Sequence, residues 1–311
     1  MSNKEAVSGE TEIVSTIVPA YHAEDTIVRA ISSLLQQTYP HWEAAIAADD
    51  GIDYLSLLAD AGIRDRRLKQ IVTGDRATGA GNTRNRALSI CTGEILATLD
   101  ADDAYLPHRL ETLVPLALEY GAVIDNTGVH NRDLVCYKTP FSRERDRIGF
   151  AIAEDILKPR IPFFPVFRRE FIGRGWTSVA FAEDVLFNLE LLSRAETAVI
   201  SFKSLYCYYK RDGSTTQSAN AFDTAQRGYC EILDLLESSH LDLTAQIRQA
   251  AIEEFQQNLQ LNQVFRQYME QGRCQTLEEF LDLTDNGRAE WLRSELEATL
   301  KEFPKNPVID R

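Results

Sequence analysis

Three carboxylates, Asp100, Asp102 and Asp103, stand at the end of an apolar run in the stretch GEILATLDADDAYLPHRLE, residues 93–111. Like charges repel and resist desolvation, so an apolar core does not explain them and a counter-charge is needed. One reading is a turn solvated at the surface. A calcium loop would use Asp100, Asp102 and Glu111, but Tyr105 stands where that loop needs glycine, and Pro107 starts a helix inside it. The third reading is a divalent-cation site, in which hard carboxylate oxygens hold Mg²⁺ or Mn²⁺ against a phosphorylated ligand. Its candidate ligands are Asp102 and Asp103. The triplet alone leaves the solvated turn and the cation site both open.

Other side chains offer chemistry of their own. Tyr21 follows a strand end, where its ring can stack on a nucleotide base or pack in a core. Arg84 falls in the first turn of a helix, where the dipole favours anions; an anionic ligand or plain solvent resolves that conflict. Its setting, Gly79-x-Gly81-x-x-Arg84, lacks the third glycine and the strand-turn context of a dinucleotide site. Glu183 and Asp184 open a helix, either as first-turn caps or as a base that the helix N-terminus keeps ionised for proton abstraction. The aromatic and basic FPVFRREFIGRGW just upstream suits sugar stacking. Lys210 and Arg211 begin a polar loop through Thr216, an exposed basic turn or a lid over diphosphate oxygens.

The elements that must position these residues are legible from periodicity. Up to residue 125 strand and helix patterns alternate. EIVSTIVPAY reads as a central strand, followed by a helix through Ile27, Ile31 and Leu34 with Asp25 as its cap. WEAAIAADDG, LKQIVTG and EILATLD read as further strands, and NTRNRALSICTG as a helix capped by Asn82. Pro107 opens a helix through Glu119 that Pro115 is expected to bend or break. GAVIDNTGV reads as one more strand. The fold class is therefore α/β, with a mostly parallel sheet between two layers of helices. Ligands of such sheets sit at the carboxyl ends of the strands, where Asp49, Asp50 and the triplet fall. Residues 126–210 are less regular, with TAVISFKSLYCYYK reading as a strand that enters the polar loop. From 221 onward the pattern is helical, including an apolar stripe from Gln246 to Met269, a Thr276/Glu279 capping box and a last helix over 287–303.

The net charge of −14 argues against general affinity for nucleic acid or an anionic membrane. No apolar run approaches the ~20 residues of a membrane span, so any membrane contact is expected to be peripheral. The polar, acidic N-terminus reads as a disordered lead-in, and five scattered cysteines without a C-x-x-C pair suit a reducing cytoplasm.

Taken together, STIVPAYHAEDTIVRAISSLLQQTY, ADDG, GAGNTRNRAL, GEILATLDADDAYLP and AEDVLF resemble, in order and spacing, family 2 glycosyltransferases with the GT-A fold, over residues 13–215. The resemblance implies that Pro19, Ala20 and Tyr21 cradle the base and that Asp50 binds the uracil or its ribose. It implies that Arg84 reaches the base or diphosphate, and that Asp100-Ala101-Asp102 holds ribose and metal. Asp184 becomes the catalytic base beside Glu183, in an inverting reaction. A departure is Ile52-Asp53 after ADDG, where the family has Ser-x-Asp, which shortens the base-binding turn.

The expected protein is a cytoplasmic, metal-dependent transferase moving a sugar from a nucleotide-diphosphate donor, a UDP-sugar first, to a glycan or glycolipid hydroxyl. The implied setting is bacterial polysaccharide or glycolipid assembly. A nucleotidyltransferase and a non-catalytic nucleotide-sugar-binding scaffold are the alternatives. The expected division is a lead-in over 1–12, a GT-A domain over 13–220 and a helical region over 221–311. That last region is expected to serve packing, homo-oligomer formation or acceptor placement, without donor contacts.

Overall fold

The segment VSTIVPA carries no charge, and it forms β1 (Val14–Ala20), buried along its length inside an eight-stranded sheet. The structure, a computed structural model, describes residues 12–72, 74–130, 136–141, 147–210, 215–238 and 240–285. On one side of β1 lie β2 (Trp42–Ala48) and β3 (Leu68–Val72), and on the other β4 (Ile95–Thr98), all parallel. The sheet continues through β10 (Val166–Arg168), which runs antiparallel to both its neighbours, then β6 (Ala122–Asp125), β11 (Val199–Ser201) and β9 (Ile148–Phe150). A second sheet has the order β5 (Ala104–Tyr105), β12 (Tyr206–Tyr209), β7 (Gly128–His130) and β8 (Cys136–Lys138).

Helices cover both faces of the large sheet, as the alternation predicts. The face packed by α1 (Ile27–Leu35), α2 (Tyr54–Asp60) and α4 (Arg109–Tyr120) closes over Val14, Val18 and Ile46. The opposite face, with Ile17, Ala45 and Leu96, packs α3 (Ala80–Leu88), α5 (Ala153–Leu157) and α6 (Glu183–Arg194).

Several local expectations change. The pattern read as one strand in GAVIDNTGV is two, β6 and β7, and the one after Thr197 is also two, β11 and β12. Each pair leaves the large sheet for the small one within a few residues, and the buried Asn126 braces that crossing, its amide bonding the carbonyls of Ser201 and Lys203. Apolar periodicity cannot show such a transfer, because both halves are equally buried. Pro115 does not break α4: it and Glu111 lie on the exposed side, where water can bond the carbonyl that proline leaves unpaired. Thr26, not Asp25, precedes α1, and α3 begins before Asn82, behind Gly79 at φ +93°.

The C-terminal helices α7 (Ala221–Glu237), α8 (Ala245–Glu270) and α9 (Leu277–Asp285) are packed onto the sheet half of the molecule. Ile232, Leu236, Ala251 and Phe255 enter the same core as Ile17 and Leu96, while Ala225, Phe265 and Phe280 form a smaller core of their own. Gly228 lets α7 approach closely, since a Cβ there would lie 2.6 Å from the Phe181 backbone nitrogen. Thr276 caps the Glu279 amide as expected, and Glu279 returns to the amide of Gln275. The lead-in up to residue 11 and the helix read over 287–303 lie outside the described residues.

This shared core has a consequence for unfolding. Phe255→Ala should cost about 3–5 kcal/mol, the usual range for emptying a buried aromatic site. Urea denaturation followed by fluorescence and circular dichroism should show one transition, because the tail and sheet would unfold together. Two separated transitions would show that the tail is an independent unit.

Candidate active site

The acidic triplet lies where the chain leaves β4 of the large sheet and enters β5 of the small one. Its counter-charge is Arg84 on α3. The buried guanidinium bonds both oxygens of Asp100, at 2.8 and 3.1 Å, and reaches Glu183 Oε1 at 2.8 Å. Burial would favour loss of its proton, and Asp100 and Glu183 more than reverse this. The sequence reading aimed Arg84 at the base or diphosphate; here it ties together two acidic segments 83 residues apart, Asp100 and Glu183.

Asp103 turns away from solvent. It is fully buried, accepting from the Tyr206 hydroxyl at 2.8 Å and the Tyr209 amide at 2.9 Å. Burial, with Asp102 and Asp100 beside it, pushes its carboxyl well above the usual range. Tyr206 also accepts the Asp100 amide and stacks on Phe164 with ring centroids 4.0 Å apart. Beneath it the buried Arg109 pairs with Asp125 at 2.7 Å and lies over the Tyr105 ring at 4.2 Å. Arg29 of α1 donates to the Asp102 carbonyl and sits over the Tyr209 ring. The triplet is thus held from three sides.

At the end of β2 the two aspartates face different ways. Asp50 accepts from the Tyr54 hydroxyl at 2.5 Å, His22 N at 2.7 Å and Ile52 N at 3.0 Å. Burial pushes its pKa up, but these donors outweigh it and hold the carboxyl below the ordinary value. Asp49 turns towards α3, accepting from Thr78 N and Oγ1 at 2.7 and 2.8 Å and from Arg86 at 2.8 Å. Asp49 therefore organises the entry to α3, a role the sequence reading gave to Asn82.

Glu183 and Asp184 start α6 behind Ala182, which holds a left-handed φ of +63°. That conformation is unusual for a residue with a Cβ and turns the acidic pair towards Arg84. Asp184 does not keep the low pKa expected of a helix N-terminus. Burial raises it, Glu183 adds to this, and Arg84 only partly opposes them, leaving the carboxyl at about 7.

These groups share one cleft of about 910 Å³. Of the residues singled out in the sequence, it is lined by Pro19, Ala20, Tyr21, Arg84, Asp100, Ala101, Asp102, Glu183, Asp184 and Lys210. Asp50 and Asp103 lie behind the wall, and Arg211 lies outside the described residues. Asp49, which the sequence reading placed among the strand ends, lines it too, and Tyr208 is a lining residue that the reading passed over. So are residues of the tail, among them Tyr229, Asn258 and Glu278. Glu278 pairs with Lys210 at 2.7 Å and accepts from Gln217 at 2.6 Å, so α9 reaches the residue expected to contact the donor.

Asp100, Asp102 and Asp103 each offer a carboxylate oxygen within 4.8 Å of the others, a grouping of the hard donors a divalent cation takes, but only Asp100 and Asp102 face the cleft; Asp103, a candidate ligand in the sequence, has both oxygens engaged by Tyr206 and Tyr209. Among the described residues no helix is long and apolar enough to cross a membrane.

The sequence profile described as glycosyl transferase family 2 matches residues 15–176, more than half of the chain. The chain belongs to this family. Among curated relatives, it is 31% identical over 169 residues to the UDP-Glc:alpha-D-GlcNAc-diphosphoundecaprenol beta-1,3-glucosyltransferase WfgD of Escherichia coli, covering 51% of this chain and 66% of WfgD. It is 28% identical to the succinoglycan biosynthesis protein ExoO of Rhizobium meliloti, covering 66% of this chain and 62% of ExoO. The chain thus spans less than two-thirds of either relative. The fold recurs in residues 1–349 of S. aureus TarS crystallised with UDP-GlcNAc, with a TM-score of 0.62, 20% identity and coverage of 80% of this chain and 72% of that fragment. It recurs too in the mannosyltransferase PcManGT of Pyrobaculum calidifontis in complex with GDP-Man and Mn²⁺, with a TM-score of 0.55, 18% identity and coverage of 94% and 86%.

Removing the central cation of this family 2 site tests its role directly. Arg84→Met should cost about 1–3 kcal/mol, below the ~3–5 of a fully buried pair because both carboxylates retain some solvent. It should also raise the Asp184 pKa further, since Arg84 is the neighbouring charge that lowers it, beside the Val185 amide. Chemical denaturation and a carboxyl-resolved NMR titration read the two effects.

Proposed function

We propose that the protein is a metal-dependent, inverting glycosyltransferase that moves a sugar from a UDP-sugar to a hydroxyl of a glycan or glycolipid. The observation that carries this reading is the Arg84 bridge, which fixes Asp100 and the Glu183–Asp184 pair on one cleft. A donor-side carboxylate and an acceptor-side base are then neighbours. The donors in the names of WfgD and of the TarS complex support UDP, and the PcManGT complex supports a divalent metal.

The exposed Tyr21 offers its ring to the base, beside Pro19 and Ala20. Asp100 and Asp102 face the diphosphate end, with Asp103 behind them. A cation bound there would supply Lewis-acid neutralisation of the departing diphosphate. Asp184 accepts the proton of the acceptor hydroxyl as its oxygen bonds to C1 from the face opposite the diphosphate. The C1–oxygen bond to the diphosphate breaks, UDP leaves with the bonding electrons, and the anomeric centre inverts. A carboxyl near 7 suits this task, because its conjugate base is both present and proton-hungry at neutral pH.

The test is transfer and hydrolysis with a panel of UDP- and GDP-sugars, with the product anomer read by NMR. Asp184→Asn should leave UDP affinity nearly unchanged and lower turnover by at least ~10²-fold, the low end for a lost general base. Because the base works only when deprotonated, parent kcat/KM should rise as pH climbs through about 7. The same rate in Asp184→Asn would remove Asp184 from the chemistry. Separately, calorimetry should show UDP binding strengthened by Mn²⁺ or Mg²⁺ and that dependence lost in Asp102→Ala; equal affinity with EDTA and Mn²⁺ would sink the metal role.

A further inference from the structure

Arg160 lines the same cleft, as does Tyr229 of α7, and its charge acts on the Tyr229 phenol. Its backbone holds φ +49°, a left-handed conformation rare for a residue with a Cβ. Its Nε is buried without a hydrogen-bond acceptor. No ion pair to its guanidinium is formed among the described residues. Nearby acids are engaged elsewhere: Glu254 by Lys158 at 2.7 Å, and Glu231 by the Ala180 amide at 2.7 Å. The cleft is also lined by Lys138 and by three cations with acidic partners: Arg84 pairs with Asp100 and Glu183, Lys210 with Glu278, and Arg227 meets Glu231 at 4.0 Å.

The loop that carries Arg160 is not slack. Three successive carbonyls, those of Pro162, Phe163 and Phe164, accept from the buried Thr127, Asn188 and Arg109. On the other side, Lys158 is tied to α8 through Glu254. The segment is therefore fixed at both ends, and the strained conformation falls at the one residue between them that projects a guanidinium into the cleft. Burial raises the Tyr229 hydroxyl to about 12, so the phenol beside Arg160 keeps its proton and can donate it in a hydrogen bond. A strained, rigidly mounted guanidinium with an unmet donor and a neighbouring phenol is built to receive anionic oxygens.

We propose that Arg160, with Tyr229, forms an anion subsite for the acceptor, which therefore carries a phosphate or carboxylate group as well as the accepting hydroxyl. The assignment to the acceptor rests on the transfer reading above, which gives the donor diphosphate to the Asp100–Asp102 end of the cleft. Two sources share this chemistry: the diphosphate of a lipid-linked sugar and the carboxylate of an acidic sugar.

Calorimetry separates them without requiring turnover. The full chain, in EDTA, is titrated with decyl diphosphate, methyl β-glucuronide and, as a neutral control, methyl β-glucoside. At least one anion should bind, and Arg160→Gln should weaken it by about tenfold or more, the usual cost of a charged hydrogen bond. Dependence confined to decyl diphosphate assigns the lipid phosphate, and dependence confined to the glucuronide assigns the acidic sugar. Arg160→Gly keeps the left-handed backbone without strain, so it should melt no lower than the parent while losing binding equally. Failure of both anions to bind, or equal binding by parent and variants, overturns the subsite. A null result in the nucleotide-sugar panel with Arg160-dependent binding intact would thus refute the transfer reading and leave the subsite standing.

Discussion

One buried cation organises this molecule's chemistry. Arg84 lies between Asp100 and Glu183, and without it two acidic segments from distant parts of the chain would repel one another across the cleft. Buried ion pairs often add little net stability, because desolvation offsets attraction, yet removing one partner is costly. The arrangement is better understood as positional. The β4 exit and the start of α6 are brought together by a group that neither segment supplies, and α3 supplies it because Asp49 fixes where that helix begins.

Behind this clamp stands a second support with different physics. Tyr206 joins Asp103 to the aromatic layer of Tyr105 and Phe164, and Arg109 beneath it is paired with Asp125. Tyr206 belongs to β12, which runs antiparallel to β5, so the small sheet holds the triplet by a cross-strand contact. The low-dielectric surroundings that make Asp103 hard to ionise are the same ones that strengthen its hydrogen bonds. The outward carboxylates of the triplet thus rest on an inward one.

Much of the architecture was legible in the sequence because β1, β2 and β4 are largely apolar runs, and β2 and β4 run into acids at Asp49 and Asp100, a pattern that buried parallel strands produce. The cleft residues at 19–21 and 100–102 were legible for the same reason, since they lie at the ends of β1 and β4, whereas Arg84 on α3 and the Glu183–Asp184 pair that opens α6 were legible through the family resemblance. What could not be read depends on direction in space. Adjacent carboxylates such as Asp49 and Asp50, or Asp102 and Asp103, look alike in one dimension, and only the turn decides which points inward. Nor does periodicity record when a strand changes sheets, as β6 and β11 do on passing to β7 and β12. The docking of α7 and α8 was hidden too: an amphipathic stripe declares that it is covered without naming the cover.

The glycine at 228 has a meaning for descent and for engineering. Where α7 crosses Phe181, two backbones meet with no space for a methyl group, only a few residues before Glu183. A tail borrowed from another protein could present a different wall to the cleft, but it would have to match this seam at single-atom tolerance or push the acidic pair out of line. The tail is therefore free to diversify over most of its surface and locked at one point. Recombination between relatives would be expected to preserve a small residue there while the neighbouring cleft-facing positions drift.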